Sequence, residues 1–157
     1  MVDWIRSSEH LLETLADSLA GFDHVAEHAH RFDFYSYCER YAMQRAELAR
    51  QFRSVMKEFS SEPPSHGTAL ASAHRLYLDM KSALDSGVLP VLHELMRGEK
   101  FLASRVDGLL DHDGLPTAIY DIVRLLRANV SQSLFDLEAM SSHASKGFAA
   151  GSFRLYR

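Results

Sequence analysis

The sequence predicts an all-α protein, an antiparallel four-helix bundle with an additional short helix at its central crossover. Three observations carry that prediction. Apolar side chains recur in alternating steps of three and four along most of the 157 residues, which is the rhythm of an amphipathic helix. No stretch alternates with period two. Four prolines occur, and Pro63-Pro64 with Ser60, Ser61, Ser65 and Gly67 form the one clear linker, which divides the chain into two helical halves.

Each element follows from its own stripe. Ser7 or Ser8 can cap a first helix whose seam is Leu12, Leu15, Leu19, Phe22, Ala26 and Ala29. A second helix runs from about Phe34, with Cys38, Tyr41, Arg45, Leu48, Phe52, Val55 and Phe59 in the same rhythm. After the linker, Leu70, Ala73, Tyr77, Met80 and Leu84 define the short helix, which stops near Asp85-Ser86-Gly87. Leu92, Met96, Glu99, Ala103, Val106 and Leu110 mark the next long helix. A turn from Asp111 to Pro116 follows, Pro116 being suited to a first helical turn. The last helix carries Leu115, Ile119, Ile122, Val123, Leu126, Val130, Leu137 and Met140, with Asn129 and Ser133 as polar intrusions. Four helices of about 25 residues would each span roughly 37 Å. The bundle is expected over residues 1–146, and residues 147–157, different in composition, as an extended tail.

Composition narrows the function classes. A chain of this length fits one domain and can bury a core without disulfides or structural metal. The single cysteine, Cys38, lies on a helical stripe and reads as a core packer in a reducing compartment. Met1 to Arg6 lacks the apolar stretch of a signal peptide, and no run of about 18 apolar residues occurs, so the expected location is the cytoplasm, without membrane association. The net charge of −4, with both signs interspersed, offers no basic face to nucleic acid. The sequence holds no Gly-rich phosphate loop, no cysteine pair and no Ser-His-Asp or Cys-His arrangement at a recognisable turn.

Two residues stand out because they break the pattern. Arg45 and Glu99 occupy positions where the stripes call for apolar side chains, and a charge in a bundle seam must be paired or suffer a large desolvation penalty. Each is therefore the other's expected partner, and Tyr41, on the same stripe as Arg45, is expected to hydrogen-bond one of them. A second cluster, His24, Glu27 and His28, has the i, i+3, i+4 spacing that can hold zinc or iron if it faces inward, and Glu27 with His30 reads as Glu-x-x-His. Counting from Ala26 on the seam puts His24 and His28 nearly opposite the core and Glu27 on the flank; only His30 approaches the buried side. His74 lies beside an apolar stripe, where it can hydrogen-bond across the bundle.

The chain from about Leu11 to Met140 resembles a bacterial family of ferritin-like four-helix bundles associated with stress responses. The similarity lies in the order and spacing of Leu11 to Asp17, Gly21-Phe22, Ala26-Glu27, Tyr41 to Arg45, His74-Arg75, Lys81 to Ala83, Arg97 to Glu99 and Leu115-Pro116. The resemblance implies a ferritin-like bundle, and such folds build di-metal sites from inward carboxylates and histidines. Acidic or polar positions of the family pattern fall here on Leu19, Met96, Leu126 and Leu134, which leaves Glu99 as the one plausible inward ligand. The leading expectation is thus a non-catalytic structural or interaction module without a cofactor, self-associating as a homodimer through Phe101, Leu102 and Leu109. The competing expectation is an iron- or manganese-binding redox or ferroxidase-like protein using Glu27, His30, His74 and Glu99. Metal held at a subunit interface by His24 and His28 of two chains also stays open. In the tail, Gly151 to Leu155 loosely resembles the Gly-Ser-Leu signals that direct ferritin-like cargo into protein nanocompartments. Phe153 and Leu155 would be the anchors for such a protein partner.

Overall fold

The structure is a computed structural model that describes residues 3–59 and 79–146, and the described chain is helical throughout apart from its turns. Four long helices, α1 (Asp3–His28), α2 (Tyr35–Met56), α3 (Val88–Leu110) and α4 (Thr117–Ser145), pack into a bundle, with a further helical segment over 79–86. The linker prolines, His74 and the tail anchors Phe153 and Leu155 lie outside the described residues. No described helix is long and apolar enough to cross a membrane.

Local chemistry sets the boundaries. Gly87 takes φ 119°, a conformation that costs a side chain dearly and that separates the 79–86 segment from α3. Pro90 sits in the first turn of α3, where its missing N–H has no helical acceptor to serve. Pro116, expected inside the last helix, is instead the residue just before it, with ψ 143°, and its carbonyl accepts the Tyr120 N–H at 2.9 Å. The restriction that proline places on backbone geometry thus ends the turn rather than opening the helix. Phe59 lies beyond the end of α2, its ring edge-on to Trp4 at 5.4 Å.

Cross-helix contacts fix the topology. Phe22 meets Tyr41 and Ser18 meets Arg45, so α1 and α2 are antiparallel. Ser7 meets His112 and Ser18 meets Glu99, so α3 also runs against α1. Asp107 meets Arg127 and Glu99 meets Ser133, so α4 runs against α3. It follows that α2 and α3 are parallel and lie diagonally across the bundle, joined by the long connection of residues 57–87. The order is up, down, down, up.

The core consists of two apolar clusters with a polar layer between them. One holds Phe22, Val25, Phe34, Tyr37, Cys38, Leu92, Leu95 and Met140; the other holds Trp4, Leu11, Leu15, Phe52, Leu102, Val106, Ile119 and Leu126. Leu102 and Leu109 are fully buried in α3, so they are core residues and not the exposed stripe that the sequence suggested; of that trio Phe101 alone is exposed. The α1 seam also turns by about one residue from the expected line. Leu11, Leu15, Phe22, Val25 and Ala29 are its most buried apolar members, while Leu19 only flanks the core.

Candidate functional site

The polar layer draws on every long helix. Arg45 projects from the middle of α2, and its side chain is completely buried; the Glu99 side chain on α3 is 2% exposed. Their contact is bidentate, Arg45 Nη1 donating to Glu99 Oε1 at 2.8 Å and Nη2 to Oε2 at 2.5 Å. Arg45 Nη1 also donates to Ser18 Oγ on α1 at 2.5 Å, Nη2 to Ser133 Oγ on α4 at 3.2 Å, and Nε to Asn129 Oδ1 on α4 at 2.6 Å. A guanidinium has five N–H donors in a fixed fork, and all five are used.

Glu99 is equally saturated. A carboxylate offers about four acceptor positions. Oε1 accepts from Arg45 and from Ser18 Oγ at 2.8 Å, and Oε2 accepts from Arg45 and from Ser133 Oγ at 2.5 Å. The Ser133 proton is shared with the Val130 carbonyl, 2.8 Å away. Asn129 turns its amide outward and donates to Gln44 Oε1 at 2.9 Å. The charges cancel inside the layer, which is what makes burial of both tolerable.

Tyr41 joins this layer through its ring and not through its hydroxyl. The guanidinium carbon of Arg45 lies 5.7 Å from the Tyr41 centroid and 5.5 Å from that of Phe22, and the two rings stack on each other at 5.4 Å. An arginine whose N–H groups are all spent in its own plane can still offer its face to aromatic rings. Tyr37, which sequence reading did not single out, donates to the Ser133 carbonyl at 3.4 Å. Burial pushes the Tyr37 and Tyr41 hydroxyls, and the Cys38 thiol, above their ordinary pKa values.

The layer reaches a groove on either side of the bundle. Between α1 and α3, Ser18 and Glu99 form the floor of a cleft of about 520 Å³ with Glu13, Asp17 and Phe101 among its walls. Between α2 and α4, Gln44 and Asn129 border a shallow groove of about 500 Å³ with Met43, Leu48 and Leu125. The polar chain from Ser18 to Gln44 therefore crosses the whole molecule.

Of the expected metal ligands, Glu27, His30 and Glu99 do not come together, and His74 lies outside the described residues. Glu27 is exposed on the last turn of α1, and His30 is exposed in the turn beyond it, its ring 4.8 Å from Tyr35. Because α1 ends at His28, the helical count that brought His30 toward the core no longer applies. Glu99 is held at the level of Ser18, nine residues or about 13 Å back along α1 from Glu27. Among the described residues no group of three His, Cys, Asp or Glu side chains is arranged to hold a metal ion. Of the four positions where the resemblance would call for donors, Leu126 is 2% exposed in the core and Leu19, Met96 and Leu134 pack against it. His24 and His28 lie side by side on α1 with ring centroids 4.5 Å apart, and Glu27 Oε2 is 3.7 Å from His28 Nε2.

Fold and site together define an all-α bundle with a buried ion pair at the centre of a polar layer. Residues 3–112 match the family described as a domain of unknown function (DUF2383), and the chain belongs to that family. The matched span includes Ser18, Arg45 and Glu99, while Asn129 and Ser133 lie beyond it. No curated protein and no solved structure matches the chain.

Proposed function

We propose that this chain is a ferritin-like bundle in which an arginine–carboxylate pair stands where a metal centre would be, and that it works as a non-catalytic structural or protein-interaction module in the cytoplasm. The observation that carries the reading is the saturation of Glu99, whose acceptor positions are all taken by Arg45, Ser18 and Ser133. A metal ion could reach that carboxylate only by displacing a buried cation that has no other counter-charge in the layer. The up, down, down, up order with one long crossover supports the ferritin-like assignment, since that is the connectivity of ferritin-like folds. A stress-associated role comes with that assignment. Self-association belongs to the same reading, and Met43, Phe101, Leu125 and Phe135 are exposed apolar side chains that a partner can cover.

Elemental mass spectrometry tests it on untagged protein purified without chelator, repeated after anaerobic reconstitution with ferrous iron. Iron and manganese well below one per chain in both samples are expected. Two of either per chain would overturn the reading and establish a centre in the core.

A further inference from the structure

We propose that residues 147–157 turn back at the end of α4 and lie in the groove between α2 and α4, so that the chain covers this groove with its own C-terminal segment. The proposal does not rest on the reading of the core.

The groove begins where the segment leaves the bundle. Because α4 runs against α2, its last turns stand beside the first turns of α2; Tyr37 meets Ser133, and further toward the middle Arg45 meets Asn129. Lys146 caps α4, which puts Gly147 just past the cap, where glycine readily takes the left-handed conformation that redirects a chain. With Gly147 to Ala149 spent on the reversal, the eight residues from Ala150 to Arg157 span about 26 Å when extended. From Ser145 back to Asn129, α4 measures about 24 Å. The segment therefore reaches the groove floor formed by Asn129 and Gln44.

Its side chains suit that register. Extended residues point alternately to opposite sides, so Phe153 and Leu155 face one helix and Arg154 the other. Counted from Lys146, and to within one helical turn, Arg154 comes level with Asp136 on α4 and Leu155 with Met43 on α2. The charge of Asp136 disfavours ionisation of the Tyr37 hydroxyl, which puts this carboxylate on the α2 side of α4. Among the described residues, the neutral Gln132 amide donates to Asp136 at 3.0 Å and no cation pairs with it. The segment carries Arg154 and Arg157 and no acidic residue. Met43 is 70% exposed, and Leu155 laid over it removes apolar surface from water. Gln44, Gln51 and Asn129 line the groove with side-chain amides, which supply the donors and acceptors that an extended backbone needs. The cleft between α1 and α3 is the poorer host, since α4 does not border it and Arg97 and Arg105 stand on its walls.

The test is nuclear magnetic resonance on the full isotope-labelled chain, with a nitroxide on Ala46→Cys, an exposed position one turn from Met43. Buried Cys38 does not compete for the label. Amides of Phe153 to Arg157 are expected to lose most of their intensity, and to keep it when the nitroxide sits on Lys100→Cys, on α3 diagonally across the bundle. Asp136→Lys should restore the intensity with unchanged helical circular dichroism, and adding Arg154→Glu should remove it again. Full intensity beside the Ala46→Cys label, equal loss from both labels, or indifference to Asp136→Lys would each overturn the proposal. So would loss in an isotope-labelled chain mixed with nitroxide-bearing chains that lack the isotope, because the segment would then occupy the groove of a second copy.

Discussion

Arg45 keeps its charge in the core because every N–H has a partner, so the two members of the pair do not tolerate loss equally. Glu99→Ala leaves a buried guanidinium without a counter-charge and should cost about 3–5 kcal/mol in chemical denaturation. A change under about 1 kcal/mol would mean that the pair contributes no coupling. Cys38, completely buried with its thiol pushed to a higher pKa, should resist thiol reagents at pH 8 in the native protein and react at once in denaturant. Fast labelling of the native state would show that the core opens at α2. Arg45 and Glu99 were legible in the sequence because each interrupts an apolar stripe, and Asn129 and Ser133 for the same reason. Ser18 was not, because a small hydroxyl residue beside Leu19 disturbs no pattern. The signal was present only in a seam drawn through Leu11, Leu15, Phe22 and Val25, which places Ser18 on the buried side.

At the scale of the helix, α1 and α3 show where periodicity stops informing. Their apolar stripes are wide enough that lines drawn one residue apart fit equally well, so Leu102 and Leu109 were assigned to the surface although both are core. The end of α1 at His28 likewise depends on the packing of Ala29, Phe32 and Phe34 in the following turn, which no count along the helix contains. Two predictions belong here. A Cβ at Gly98 would meet nothing within 4 Å, so Gly98→Ala should stabilise α3 by about 0.5–1 kcal/mol through helix propensity, read as a higher Tm. A lower Tm would indicate that the cleft against α1 closes on that position. His24 on α1 has a pKa below its ordinary 6.5, through burial first and His28 second, with Glu27 and Asp23 acting in the opposite sense. The unfolded chain therefore takes up the proton first as pH falls. Stability from this group is complete above pH 6.5 and declines as pH drops from there through the folded value. His24→Gln should flatten the stability profile over that window, and an unchanged slope would assign the dependence elsewhere.

At the scale of the molecule, periodicity made the number of long helices legible, but not their directions, which rest on particular pairs such as Ser18 with Glu99 and Asp107 with Arg127. The polar layer has its own consequence at this scale. It separates two apolar clusters that would otherwise be continuous, and it joins all four helices at one level. Buried ion pairs are seldom the most stable filling for such a space, because desolvation offsets most of the attraction. Replacing the layer as a unit, with Arg45→Met, Glu99→Leu, Ser18→Ala and Ser133→Ala together, should leave stability unchanged or raise it by about 1–4 kcal/mol, since no charge is stranded and the two clusters merge. Urea denaturation of this variant beside Glu99→Ala separates two accounts of the pair. If the combined variant is as stable as the parent, the cost of the single substitution lies in the stranded arginine, and the layer's role is to hold the helices in one register. Amide hydrogen exchange would then show whether the helices keep that register without it. If the combined variant is less stable than Glu99→Ala, the network itself supplies net stability, and the bundle depends on its ionic centre for more than alignment.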